Sequence, residues 1–353
     1  MGSPHDVITP ADLAAGAADL PLLTEGAVVD RPMVTVDLDA DLDAGTAARA
    51  ADRARTPTRL LIGLRTRPEP LTPAQLAVAA ALDTTLAPIE AATERSLVGT
   101  TDPTAAFAVL ASSVADQEHA AMVLGHVLRA SRTLPVPEAV DVESLGYSTL
   151  LGTPGFRRWL AERGPRPLPP VSPQQPVLVR RDGGRLHVTL NRPERRNAYG
   201  AEVRDGLVEA LRLALADDTV TSVLLDGAGP VFSAGGDLDE FGTTPDLGTA
   251  HLIRTRAGAA RLVAALADRI EVHVHGSCVG AGIEVPAFAS RIVAAPGTAF
   301  RLPEVSMGLI PGAGGCVSVP RRIGRWRAFW LCATGIALDT ETALSWGLID
   351  EIA

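Results

Sequence analysis

The sequence predicts an α/β protein. Strand-like and helix-like segments alternate along both halves, several strands are short and wholly apolar, and a Pro-rich stretch separates the halves. That stretch, 164–176, reads GPRPLPPVSPQQP. Six of its thirteen residues are Pro and it has no apolar period, so it reads as a semi-rigid linker. For 353 residues two domains are expected, 1–163 and 177–353.

In the first half, residues 32–38 alternate like a strand, 43–55 are Ala-rich and helical in composition, and 59–64 read as a more buried strand. This is a β–α–β unit with a parallel strand pair. Helical stretches are expected at about 72–96 and 103–131, the second opening with Asp102 as N-cap and Pro103 at the first helical position. A short helix is expected at 153–163. His119 and His126 are seven residues apart, too far to grip one metal, and read as structural or solvent residues.

In the second half, 177–179 and 186–190 alternate around Asp182-Gly183-Gly184, a hairpin turn signal. A helix at about 200–216, a strand at 222–225, a helix at 247–267 and a strand at 270–274 follow. A helix is then expected to begin near Ala281, and a strand at 292–294. Strand–helix–strand opens both halves, which suggests a decayed partial repeat. The Val34–Leu60 offset is shorter than the Val188–Val223 offset, however, and the repeat stays open.

Composition excludes several functions. The net charge is −9, and every fixed cation is Arg because the chain has no lysine. Schiff-base and P-loop lysine chemistry are therefore excluded. Nucleic acid and anionic membrane surfaces are not expected partners, since both need concentrated positive charge. The three cysteines, Cys278, Cys316 and Cys332, form no CxxC and no zinc spacing, so no metal is expected. Asp6, Pro10 and Asp12 open the chain without a basic-then-apolar run, and apolar stretches such as 104–115 fall short of a membrane span. A cytoplasmic protein is expected.

Three segments carry chemistry: Val231-Phe232-Ser233-Ala234-Gly235-Gly236-Asp237-Leu238; His275 through Gly280-Ala281-Gly282-Ile283-Glu284; and Leu302-Pro303-Glu304 through Pro311-Gly312-Ala313-Gly314-Gly315. Each Gly-rich loop follows a buried-type strand and lets a ligand approach main-chain N–H groups. One amide from each of two loops would make an oxyanion hole. Glu284 and Glu304 sit in apolar stretches; two such carboxyls in one desolvated pocket can be driven to different protonation states. Taken singly, a Gly-rich loop is usually a turn and a first-turn Glu usually serves the helix dipole. The case rests on the coincidence and order of the three.

With those motifs, and with Leu190-Asn191-Arg192-Pro193-Glu194, Asn197-Ala198 and the closing Ala343…Gly347-Leu348-Ile349-Asp350, residues 177–353 resemble the enoyl-CoA hydratase/isomerase (crotonase) superfamily. The resemblance implies a ββα spiral. It places the oxyanion-hole amides on Gly236 and Ala281, the catalytic pair on Glu284 and Glu304, and a water-holding N–H on Gly312. Coenzyme A would lie along Arg195, Arg196 and Ala198, near Gly235 and Asp237. It implies a lyase that hydrates a 2-enoyl-CoA to a 3-hydroxyacyl-CoA in fatty acid or secondary metabolism. Coenzyme A is then part of the substrate, no separate cofactor is used, and a homo-oligomer is expected. Retention of both glutamates favours hydration. Isomerisation, hydrolysis or ring cleavage, and a non-catalytic acyl-CoA-binding subunit, are the alternatives. Family members usually have Gly where Ala281 stands, so the site is narrower here. His273 and His275 lie in an altered strand entry and read as packing residues. The family's C-terminal helices have no counterpart before Ala353. Residues 103–131 or 145–163 are the candidate replacement for that lid, and deleting 1–163 is expected to leave an insoluble or inactive remainder.

Overall fold

The computed structural model describes residues 7–353; Asp6, used above, lies outside them. Its first half is built on five parallel strands in sequential order: β1 (Val7–Ile8), β2 (Met33–Asp37), β3 (Leu60–Leu64), β4 (Thr84–Pro88) and β5 (Val98–Thr100). Side chains alternate across a strand, so each strand feeds two faces. Val34, Val36, Leu61 and Ala87 face α1 (Pro10–Ala14), α2 (Ala44–Arg53) and α3 (Pro73–Ala81). Met33, Leu60, Ile62, Leu86 and Val98 belong instead to the main core, under α4 (Pro103–Asp116) and α5 (Glu118–Ala130).

The second half carries β6 (Val177–Asp182), β7 (Arg185–Leu190), β8 (Ser222–Gly227), β9 (Ile270–Val274), β11 (Arg291–Ala294) and β13 (Glu351–Ile352), in the order β13-β11-β9-β8-β7-β6. All pairs are parallel except the β6–β7 hairpin, whose turn Gly183 makes with φ +57°. A second layer pairs β10 (Ser277–Val279) with β12 (Ala299–Arg301). Successive ββα units thus stack strand on strand, β9 beside β11 in one layer and β10 beside β12 in the other. The helices are α6 (Val136–Leu151), α7 (Pro154–Arg163), α8 (Ala201–Ala216), α9 (Leu247–Arg256), α10 (Ala260–Ala265), α11 (Ala281–Glu284), α12 (Gly315–Ile323), α13 (Arg325–Thr334) and α14 (Thr340–Trp346).

One apolar core runs through both halves, from Met33 and Phe156 to Phe329 and Ile349. Helix α13 packs on α4, α5, β4 and β5, so a late helix covers a face of the first sheet. The Pro-rich segment lies along the start of α8: Ser172 N–H donates to the Glu202 carboxylate at 3.1 Å, and Asn191 N–H donates to Pro176 O at 2.8 Å.

Several elements differ from expectation. The stretch 72–96 is helical only to Ala81; then Thr84–Pro88 forms a strand buried along its whole length, where Ala-rich composition had masked two adjacent threonines. Helix 103–131 breaks at Gln117 (φ −138°, ψ 53°) into α4 and α5. Helix 247–267 breaks into α9 and α10 around Gly258. The helix at Ala281 is a single turn, followed by a 3₁₀ turn that opens at Pro286, a residue without an N–H to extend an α-helix. Helix α6 was not foreseen. The Asp102 cap is as read: its side chain accepts from Ala105 N–H at 2.9 Å.

Candidate active site

Glu284 closes the single turn of α11, just after Gly280, which adopts φ +50°. Glu304 follows β12 and Pro303 and opens a 3₁₀ turn. A methyl group on Gly280 would stand 2.5 Å from Glu304 Oε1 and 3.7 Å from Glu284 Oε1, so the two carboxyls flank one glycine. Both line a cavity of about 220 Å³, together with Gly236, Ala281 and Gly312. The Gly236 and Ala281 N–H groups have no main-chain acceptor among the described residues. Gly235 makes this approach possible: its φ is +88°, and a side chain there would meet Val279 O at 2.6 Å.

A third carboxyl enters from the first half. Glu143, on α6, lines the same cavity and is buried. Its two oxygens accept the N–H groups of Gly314 (2.8 Å) and Cys316 (2.7 Å). Glu284 Oε2 accepts those of Ala313 (2.7 Å) and Gly315 (2.9 Å). Alternate amides of one loop are therefore held by two glutamates from opposite sides. Glu304 differs, since its Oε2 is buried without a partner.

Burial sets the protonation of all three. It pushes Glu284 up to about 7, against the pull of the loop amides. It raises Glu304 well above the usual carboxyl range, and the charges of Glu284 and Glu143 raise it further. It also raises Glu143, with Glu284 adding to the shift. Two acids with different partners thus share a cavity, one anchored by amides and one unanchored.

Tyr147 and Arg254 complete the wall. The Tyr147 ring packs on Gly312, where a methyl would meet Cδ2 at 2.4 Å. The Arg254 guanidinium lies 4.3 Å from that ring's centroid, and its Nε donates to Ser144 Oγ at 3.0 Å. Glu143, Tyr147 and Arg254 were missed by sequence reasoning. The available signal was on α6, where Ala139/Val140, Glu143/Ser144 and Tyr147/Ser148 recur at helical spacing, putting an acid on the apolar stripe.

The expected lid is corrected by this geometry. None of residues 103–131 lines the cavity; α6 does, through Val140, Glu143, Ser144, Tyr147 and Leu151. Only the last two fall in the 145–163 candidate.

The residues read for coenzyme A divide. Arg195 is held by Asp237 (3.0 and 2.7 Å) and Asp239 (2.7 Å), so its charge is already matched. Arg196 is exposed, without a side-chain partner among the described residues. Ala198, Arg195 and Asp237 line a second cavity of about 320 Å³, which shares Gly200, Ala201, Asp237 and Glu240 with the first. His273 contacts Glu271 and His275 contacts Gly229 O, both away from the cavity. His119 contacts Glu118, and His126 is exposed on α5. Among the described residues no His, Cys, Asp and Glu side chains are grouped to hold a metal ion, and no helix is long and apolar enough to cross a membrane.

With this geometry, the comparisons are specific. The family model described as Enoyl-CoA hydratase/isomerase matches residues 180–353. The chain is 36% identical over 181 residues to the 1,2-epoxyphenylacetyl-CoA isomerase of Escherichia coli, covering 50% of this chain and 69% of that protein. It is 32% identical over 180 residues to the trans-2-decenoyl-[acyl-carrier-protein] isomerase of Streptococcus mutans (50% and 68% covered). It is 32% identical over 182 residues to the 2,3-dehydroadipyl-CoA hydratase of Escherichia coli (52% and 68% covered). Among solved structures, an enoyl-CoA hydratase of Mycobacterium smegmatis matches 51% of this chain and 70% of its own, at 28% identity and a TM-score of 0.47. The chain belongs to the enoyl-CoA hydratase/isomerase family, and its relatives act on both sides of that name.

Gly280 offers a direct check on the site. Gly280→Ala would force a methyl against Glu304 at a positive φ, and turnover is expected to fall at least ~100-fold as that acid is displaced. Gly297→Ala is the control: φ is +77° but nothing lies within 4 Å, so only backbone strain of about 1–2 kcal/mol and unchanged turnover are expected.

Proposed function

We propose that the chain hydrates a 2-enoyl-CoA thioester to the 3-hydroxyacyl-CoA. The observation that carries this reading is the placement of Glu284 and Glu304 on either side of Gly280, in the cavity that the unengaged amides of Gly236 and Ala281 also line. The thioester oxygen accepts both N–H groups, which stabilise it as negative charge develops. Glu284 takes a proton from water as its oxygen attacks C3. Glu304 gives its proton to C2 of the enolate, and proton exchange between the two acids resets them. Gly312 N–H assists in holding the water. The reaction needs no group beyond these and the coenzyme A of the substrate. Arg196 and the second cavity, through Ala198 and Asp237, are the proposed path for coenzyme A; Arg195 acts there as the ion-pair partner of Asp237.

The second reading, migration of a double bond through Glu304 alone, is favoured by the two isomerases among the relatives. Incubation with crotonyl-CoA, followed by loss of enoyl absorbance, tests hydration. Glu284→Gln then separates the readings: hydration is expected to fall ~100–10,000-fold, whereas migration assayed with a 3-enoyl-CoA would survive.

The pH dependence follows from the same groups. Glu284 must be ionised to act as base, so kcat is expected to rise with pH through a limb near 7, and to fall where the higher-titrating Glu304 ionises. Stability runs the other way. The folded chain keeps a proton on Glu284 that the unfolded chain releases above its ordinary value of 4.5, so this group's contribution falls as pH rises from 4.5 to about 7 and is level above. Denaturant midpoints across that window check the sign.

A further inference from the structure

We propose a second ligand site, for a phosphate-bearing small molecule, at the seam between the two halves. A cavity of about 540 Å³ opens at the N-terminus of α13 and is lined by Arg95, Arg132, Arg321, Arg325, Ser131 and Trp326. Glu94 is the one acid in its wall.

Three of the four charges there are anchored without being neutralised, and Arg132 is exposed. Arg321 donates to Val317 O (2.7 Å) and Leu134 O (2.8 Å), Arg95 to Arg322 O (2.5 Å), and Arg325 to Ala80 O (2.9 Å). A carbonyl fixes a guanidinium but supplies no opposite charge. Among the described residues, Arg95, Arg132 and Arg321 have no carboxylate within 4.0 Å. Arg325 reaches only Asp83, at 3.8 Å, and that acid already holds Arg129 at 2.8 Å. Burial pushes Arg325 down to about 10, and the positive charges of Arg129 and Arg132 add to the shift.

Two further features favour an anion. Helix α13 spans Arg325–Thr334 and starts after Gly324 (φ +86°) with no side-chain cap, so its first N–H groups and the positive end of its dipole are open. Ser131 Oγ is buried without a partner in the same wall. Several guanidiniums around free amides suit an acceptor with many oxygens better than a planar carboxylate. The volume lies in the range of small-molecule pockets, which leaves room for an organic body beside the Trp326 ring. The wall joins residues of the first half to α12 and α13, so occupancy would fasten the seam.

The test is calorimetric titration of the full chain with inorganic pyrophosphate and with phenyl phosphate, against sodium chloride at matched ionic strength. Saturable binding at one site is expected for both, weakened at least tenfold in the double variant Arg95→Gln/Arg132→Gln, whose crotonyl-CoA turnover should be unchanged. No saturable binding above the chloride control, or equal affinity in the double variant, would overturn the proposal. Turnover is read separately, so failure here leaves the catalytic reading intact.

Discussion

Glu304→Gln is expected to lower kcat by ~100–10,000-fold on crotonyl-CoA, with KM changed only slightly. The amide keeps the shape of the side chain but has no proton to give at C2. It removes no ground-state contact, because Glu304 Oε2 has no partner in the folded chain. That same lack of a partner means the variant should fold normally and even gain stability at neutral pH, since a buried carboxyl with two acidic neighbours is relieved. A loss of activity with an undiminished melting temperature is therefore the signature. Comparable losses of both would mean that Glu304 serves packing.

Glu143→Ala is expected to be the most damaging change outside the family-matched half. It strands the amides of Gly314 and Cys316, each a buried donor whose loss of acceptor costs about 1–3 kcal/mol, and it opens a cavity beside them. A total of about 3–5 kcal/mol is expected, a large share of the roughly 5–15 kcal/mol that holds a protein folded. The same loop carries the Ala313 and Gly315 amides that hold Glu284, so kcat should fall as well. Glu143→Gln separates positioning from packing: it keeps the volume and one acceptor, so stability should largely recover. Removing the Glu143 charge favours the ionised form of Glu304, so the alkaline limb of the pH profile should move to lower pH. An unmoved limb would confine Glu143 to a structural role.

Much of the second half was legible because its chemistry is local. The hairpin at Asp182-Gly183-Gly184 is written in its turn residues, and the strands around it alternate plainly. Glu284 and Glu304 stood out as acids in apolar runs. What the sequence hid is what depends on distant partners. Helix α6 begins at Pro135-Val136-Pro137 and spreads polar residues along its inner face, because that face meets a cavity and a loop of amides rather than a uniform core. Arg254 read as one arginine among many; its role emerges only where Tyr147 and Ser144, on another element, meet it. The strand at Thr84–Pro88 is stabilised by neighbours on both sides, Leu86 pairing with Leu64 and Val98, and composition alone read it as helix. Lid identity was hidden for the same reason, since α6 reaches the site by packing on α5, α9, α10 and α12, partners distant in sequence for the most part.

The central claim is that Glu304 delivers a proton to C2 of a thioester enolate held by the amides of Gly236 and Ala281. Turnover of crotonyl-CoA in deuterated water, read by proton NMR of the product, tests it most directly. Wild-type chain should place one deuterium at C2 and a hydroxyl at C3, and Glu304→Gln should do so at least ~100-fold more slowly. Product without deuterium at C2, or labelling at the same rate in Glu304→Gln, would contradict the account.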